Sequence, residues 1–288
     1  MKEMNLEKSN EWTLEIKPKA NLFDFQLKQL WEYRDLLILL VRRDIITVYK
    51  QTLLGFFWFV LPPILNTITY FIIFGLIAKV STDGMNPILF YLSGVISWGY
   101  FADCINRTST TFRTNASIFG KVYFPRLIVP ISSIASALIK FAIQIVLLIA
   151  VTAYFYFREN NVFPQFQYLW LLPIVILLMA FSGLAIGIII SSLTTKYRDL
   201  SNLVPFAVSL LMYATPVIYP SSVIPEQYKW IIQINPLTPL IESFRFIFLG
   251  SDQISWWQLL YCLIFTCILF IIGLVLFNKT EKTFMDTV

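Results

Sequence analysis

The chain alternates between long stretches that lack charge and short polar joints. Residues 51–78, 84–102, 160–195, 200–225 and 253–278 contain no Asp, Glu, Lys or Arg, and between Arg126 and Arg158 the only charge is Lys140. A bilayer-crossing helix needs about 20 mostly apolar residues. Trimmed of polar ends, the pattern predicts six spans at 54–78, 86–104, 128–157, 169–193, 201–219 and 257–278. The polar turn FRENNVFPQFQ (157–167) separates the third span from the fourth.

Ahead of the first span, residues 22–52 follow a helical period. Ile38, Val41, Ile45, Val48 and Tyr49 share one face, and Arg43, Asp44, Thr47, Lys50 and Gln51 share the other. This is the pattern of a helix lying along the cytoplasmic membrane surface. Leu36, Leu39 and Leu40 fall on or near its polar side, which asks either for a partner or for a second packing contact within the subunit. Gly55 leaves room for close backbone approach at the junction, and Pro62–Pro63 predict a kink near the middle of the first span. Phe56, Phe57, Trp58 and Phe59 surround the turn after Gly55, as an interfacial aromatic belt does.

Six of the fourteen prolines fall between Pro205 and Pro239, in a stretch too broken to span and too apolar for a solvent loop. Short re-entrant helices buried against protein satisfy that pattern, and so does a folded outer cap. Glu242 and Arg245 lie three apart there and are spaced to pair on a helix. The expected fold is therefore an all-α membrane protein. It comprises a loosely ordered cytoplasmic segment (1–21), an amphipathic interface region (22–53), one six-span domain (54–278) with short re-entrant outer helices between spans five and six, and a cytoplasmic tail (279–288).

Composition supports the membrane class, with 57% hydrophobic and 14% charged residues. Charge adds orientation. With the N-terminus inside, seventeen Lys and Arg lie in inner segments, while only Lys79, Arg158, Lys229 and Arg245 lie outside. Because basic residues are retained on the cytoplasmic side, both termini are expected there. The net charge of +5 is thus a topology signal and requires no nucleic acid. No cleavable leader is expected, since the first fifty residues are mixed in charge and lack an apolar core. Lys140, deep in the third span, either snorkels to the inner interface or faces a polar conduit or subunit contact.

Candidate chemistry is sparse. The chain has no histidine, and neither GxxxxGK[ST] nor GxGxxG occurs, so it carries no recognisable means of hydrolysing ATP. Acidic residues are too thinly spread for a proton relay, and no DxD-type carboxylate pair suggests a membrane-embedded transferase. Cys104, Cys262 and Cys267 read as small packing residues, with neither disulfide nor metal spacing. Uphill transport by such a chain would take its energy from a partner.

The inner connection NRTSTTFRTNASIFGKVYFPRLIVP carries four basic residues and a short segment, Thr114 to Lys121, bounded by Gly120 and Pro125. It reads either as an ordinary positive loop or as a handle for a cytoplasmic partner.

The stretch RRDIITVYKQTLLGFFWFVLPP (42–63) resembles the signature of permease subunits of type-2 ABC transporters that export polysaccharides, the O-antigen, capsule and teichoic-acid exporters. Arg43, Asp44, Tyr49, Lys50, Gln51, Thr52, Leu54, Gly55, Trp58 and Pro62 carry the match. NASIFGKVYFPRLIVP resembles that family's first cytoplasmic loop, and INPLTPLIESFR its outer re-entrant segment. The resemblance implies a homodimer in the bacterial inner membrane carrying two ATP-binding subunits, which would supply ATP and Mg. No cofactor or metal is expected on this chain.

It further implies that Thr114, Asn115, Ile118 and Lys121 meet the ATP-binding subunit, and that Asn235, Pro236, Glu242 and Arg245 form an outer gate. A lipid-linked polysaccharide would thread between the two copies. Sugar C–H faces stack on aromatic rings, which nominates Trp58, Tyr70, Trp98, Tyr213 and Tyr219 for the conduit, although core or lipid-facing packing is the commoner role for any single ring. Arg42, Arg43 and Lys50 could attract the diphosphate of the lipid carrier or anionic headgroups. An exporter of a lipid or drug on the same scaffold is the alternative reading.

Overall fold

The computed structural model of the chain describes residues 27–50, 52–119, 121–122, 124–159, 164–250 and 254–287. The segment 1–21, Gln51 of the signature and Gly120 of the inner connection lie outside them. Twelve α-helices are formed by the described residues. They are α1 (Leu27–Glu32), α2 (Arg34–Tyr49), α3 (Leu61–Tyr70), α4 (Pro87–Ser109), α5 (Thr111–Thr114), α6 (Ala116–Phe119), α7 (Ile128–Glu159), α8 (Leu171–Lys196), α9 (Leu200–Tyr213), α10 (Lys229–Ile234), α11 (Thr238–Leu249) and α12 (Trp256–Thr287).

Four of them, α4, α7, α8 and α12, are long and apolar enough to cross a membrane. The other two expected spans are shorter. The first is Leu61–Ile77, in which α3 runs on into a π-helical segment, Phe71–Ile77. The second is α9, whose 14 residues rise only about 21 Å, less than the ~30 Å hydrocarbon thickness.

α8 stands at the centre, packed along both α4 and α12. Its Gly183 and Gly187 make the α4 contact possible: a Cβ on Gly187 would lie 1.6 Å from Thr108 Oγ1, and one on Gly183 2.6 Å from Cys104 Cβ. Small residues four apart let helix backbones approach where lipid offers no hydrophobic drive for association. Cys104 and Cys262 are buried, as packing residues are, whereas Cys267 is exposed on α12.

The start of the first span departs from expectation. Pro62 and Pro63 occupy the first turn of α3 instead of kinking a longer helix. Proline is tolerated there because its missing N–H has no intrahelical acceptor to lose. A 3₁₀ turn, Gly55–Phe59, precedes α3. Gly55 has φ +50 with open space where a Cβ would be, so the position demands a left-handed backbone rather than close approach.

α2 also resolves an open choice. Its anchor is Leu40, 6% exposed, in a cluster with Phe112, Phe119, Phe124, Ile128 and Phe277, and Leu36 and Leu37 pack beside it. Leu36 and Leu40 of the leucines near the polar side therefore make a packing contact within the subunit. Leu39 and Ile38 stay exposed.

α11 is the most enclosed of the short helices. It begins just after Asn235–Leu237, packs against α4, α8 and α12, and ends where Gly250 adopts φ +74. It is a core element and not a surface cap.

Candidate functional site

The expected site residues fall into three places along the fold. At one end, α5 and α6 are single helical turns broken at Asn115. The Asn115 amide donates to Thr111 O (3.0 Å) and Thr114 Oγ1 (2.9 Å), and its carbonyl accepts from the N–H groups of Ile118 and Phe119. Asn115 is buried, so it shapes the loop from within. Thr114, Ile118 and Lys121 face outward.

Two aromatic side chains hold this exposed loop to the body. Phe112 packs 4.6 Å from Phe277 of α12, and Phe119 lies 5% exposed against Phe112 and Phe124. The Arg126 guanidinium stands 5.5 Å over the Phe119 ring and donates to the Glu281 carbonyl of α12 at 2.7 Å. Arg113 donates to Ser201 Oγ at the start of α9. A push on α6 therefore meets α2, α9 and α12 together. Arg42 and Arg43 on α2, and Lys50 just after its end, are exposed. Arg43 is held by its neighbour Asp44 (2.8 Å), which offsets its charge.

Between α4 and α7 lies a feature the sequence reading missed. Lys140 Nζ of α7 sits 2.6 Å from Asp103 Oδ2 of α4, both side chains a little over a quarter exposed. One turn on, Gln144 donates to the Phe59 carbonyl at 3.0 Å, tying α7 to the 3₁₀ turn, and Phe141 stacks on Tyr100 at 4.4 Å. A lone charge at the centre of a bilayer costs about 2.5–3.5 kcal/mol by insertion scales, which the ion pair offsets. Lys140 thus makes a contact within its own subunit. The only sequence signal was Lys140 itself, a single charge within the run between Arg126 and Arg158; Asp103 stands at the end of the uncharged run 84–102.

Of the nominated aromatics, three converge. Tyr70 donates to Met212 Sδ (3.7 Å), and Tyr219 donates to the Tyr213 carbonyl (2.7 Å), so Tyr70, Tyr213 and Tyr219 gather where α3 and α9 end. Trp58 stands apart in the 3₁₀ turn, exposed beside an apolar hollow lined by Val48 and Leu54. Trp98 is buried in α4 against Phe101, 5.4 Å away.

At the end opposite α6, Asn235 donates to Ala214 O (3.1 Å) and Thr215 Oγ1 (2.9 Å) while accepting from Leu237 N. It clasps the start of α11 to the chain leaving α9, and Pro236 is half-buried next to it. Arg245 is 1% exposed. Its guanidinium lies 3.8 Å over the Phe90 ring and donates to the carbonyls of Pro216 (3.2 Å) and Val217 (3.0 Å). Glu242, one turn earlier, lines a polar cavity.

Comparison with known proteins reaches most of the chain. A family profile described as ABC-2 type transporter matches residues 35–249. The chain is 33% identical over 253 residues, 88% of its length and 94% of the relative's, to the O-antigen export system permease protein RfbA of Klebsiella pneumoniae. It is 27% identical to the protein of the same name from Myxococcus xanthus, over 77% of the chain and 83% of that protein. It is 26% identical to the polysialic acid transport protein KpsM of Escherichia coli, over 85% and 93%.

Proposed function

The chain belongs to the ABC-2 type transporter family, and on that premise we propose that it is the permease subunit of an ATP-driven exporter that moves a lipid-linked polysaccharide from the cytoplasmic side across the bacterial inner membrane. The observation that carries the reading is similarity, over 84–88% of the chain, to proteins named for O-antigen export, polysialic acid transport and capsule polysaccharide export. It favours a glycan over the lipid or drug of the alternative reading. Two copies of the chain bind two ATP-binding subunits, which hold ATP and Mg, and both termini are cytoplasmic.

In this reading the first and fifth spans are α3 with its π-helical continuation and α9, shorter than the bilayer and completed by flanking turns. α2 lies at the cytoplasmic interface, and α10–α11 re-enter from the outside. The ATP-binding subunit grips Thr114, Ile118 and Lys121, supported by Asn115 behind them, and Phe119 conveys the motion inward. The glycan passes Trp58 and the Tyr70–Tyr213–Tyr219 cluster, with Arg42, Arg43 and Lys50 at the entrance. Trp98 supports α4 from within. Asn235, Pro236, Glu242 and Arg245 set the outer end.

Export of labelled lipid-linked glycan into inverted membrane vesicles, with the permease and its ATP-binding partner co-expressed, tests the reading. ATP-dependent glycan uptake is expected, and Ile118→Cys should cross-link to a cysteine-bearing partner subunit. Transport of a small amphiphile without glycan would overturn the cargo. An active complex in which Ile118→Cys never cross-links to the partner would overturn the handle.

A further inference from the structure

The polar cavity at the α11 end is not explained by a gate. It is a half-open cavity of about 260 Å³ lined by Asp83, Ser222, Lys229, Thr238, Glu242 and Gln258, among others. These residues come from four separate segments: the 79–86 loop, the 221–234 turns, α11 and α12. Thr238 is 2% exposed and its hydroxyl has no hydrogen-bond partner among the described residues. A buried hydroxyl without a partner is costly, and this one borders a polar space.

The opposite wall is held in place. Asp83 adopts φ +52, a left-handed backbone uncommon outside glycine, and Ser222 donates to its carboxylate at 2.6–2.8 Å. Strained residues persist where the surroundings fix them, and they gather at ligand clamps.

We infer that this cavity is a binding site for a single neutral or amino-substituted sugar unit. Its volume is below the ~300–1,000 Å³ of drug-sized pockets, which suits one unit and not a chain. Carboxylates, an amide and hydroxyls match the dense donors and acceptors of a polyol. Asp83 and Glu242 outnumber Lys229, which already leans toward Glu226 at 3.6 Å, so the site disfavours an acidic sugar. A metal ion is a poorer occupant, because no group of three His, Cys, Asp or Glu able to hold one occurs among the described residues and a lysine lines the space. The inference rests on the export reading only in naming glycan as the source of the sugar: the unit would be captured as it leaves.

Saturation-transfer NMR on the full-length permease in nanodiscs tests it, with mannose, glucosamine and glucuronic acid as probes. Mannose and glucosamine should give signal and glucuronic acid little. Gln258→Leu, at a half-exposed position, and Thr238→Val should each weaken binding about fivefold, the value of one hydrogen bond. Absence of sugar signal, preference for the acid, or unchanged binding in both variants would overturn the site. Export assayed in parallel separates the two ideas: glycan export without sugar binding sinks the site alone, and sugar binding without glycan export sinks the cargo alone.

Discussion

α9 and α11 are alike on paper: 14 and 12 residues, both apolar, each with a proline. In α11 ten side chains are buried, including Phe244 and Arg245, while in α9 only Ser201, Val204 and Val208 are. The neighbour on α4 accounts for the enclosure of α11. A Cβ on Gly94 would lie 2.5 Å from Val217 O and 3.1 Å from Arg245 Nη2, so its absence admits both the guanidinium and the segment it grips. α9 instead presents Leu203, Phe206, Leu210 and Tyr213, each more than half exposed, on one helical stripe. Apolar composition marks a helix for removal from water without saying whether protein or lipid will cover it.

The sharpest way to break this contrast is truncation. Phe244→Ala should cost about 3–5 kcal/mol, the range for a buried aromatic, and Phe206→Ala no more than about 0.5 kcal/mol. Unfolding in SDS–bicelle mixtures would read both, and equal losses would mean that α11 is not the core element its burial implies. Arg245→Leu should fall between them at about 2–3 kcal/mol. Two carbonyls lose a donor at ~1–3 kcal/mol each, but relief of a buried cation returns part of that; the same titration reads it.

The smallest perturbation sharpens the other side. In a background carrying Cys267→Ser, which removes the exposed native thiol, Phe206→Cys should leave stability unchanged and form a disulfide-linked dimer under mild oxidant. That outcome would show the α9 stripe covered by a second copy, and a monomer under the same conditions would assign it to lipid. Ile268→Cys on α12 serves as the lipid-facing control.

The long helices were largely legible because hydropathy and helix length nearly coincide. The expected span 128–157 is helix Ile128–Glu159, and 169–193 is Leu171–Lys196. Where they diverge, hydropathy marks a membrane edge and not a helix end: α4 continues past residue 104 to Ser109, and α12 past residue 278 to Thr287, since polar residues do not stop a helix. Pro62–Pro63 were misplaced for a related reason. Read inside one continuous apolar run they imply a kink, and only the break at Gly55 turns them into a helix start.

The candidate site was less legible. The outward residues Thr114, Ile118 and Lys121 lie in a local motif, whereas Asp103–Lys140, Gln144–Phe59 and Asp83–Ser222 join positions far apart in the chain. Periodicity records which face a residue occupies but nothing of the face it meets.

The Asp103–Lys140 pair also has an electrical consequence. It makes the seam between α4 and α7 a dipole and not a charge. Carrying one elementary charge through the membrane potential exchanges about 2.3 kcal/mol per 100 mV, whereas a neutral pair crosses the same field almost free of that exchange. Sliding α4 and α7 together would therefore be indifferent to the voltage across the cell membrane. A movement that parts the two helices would not be, and the potential would then favour one position of the seam over the other.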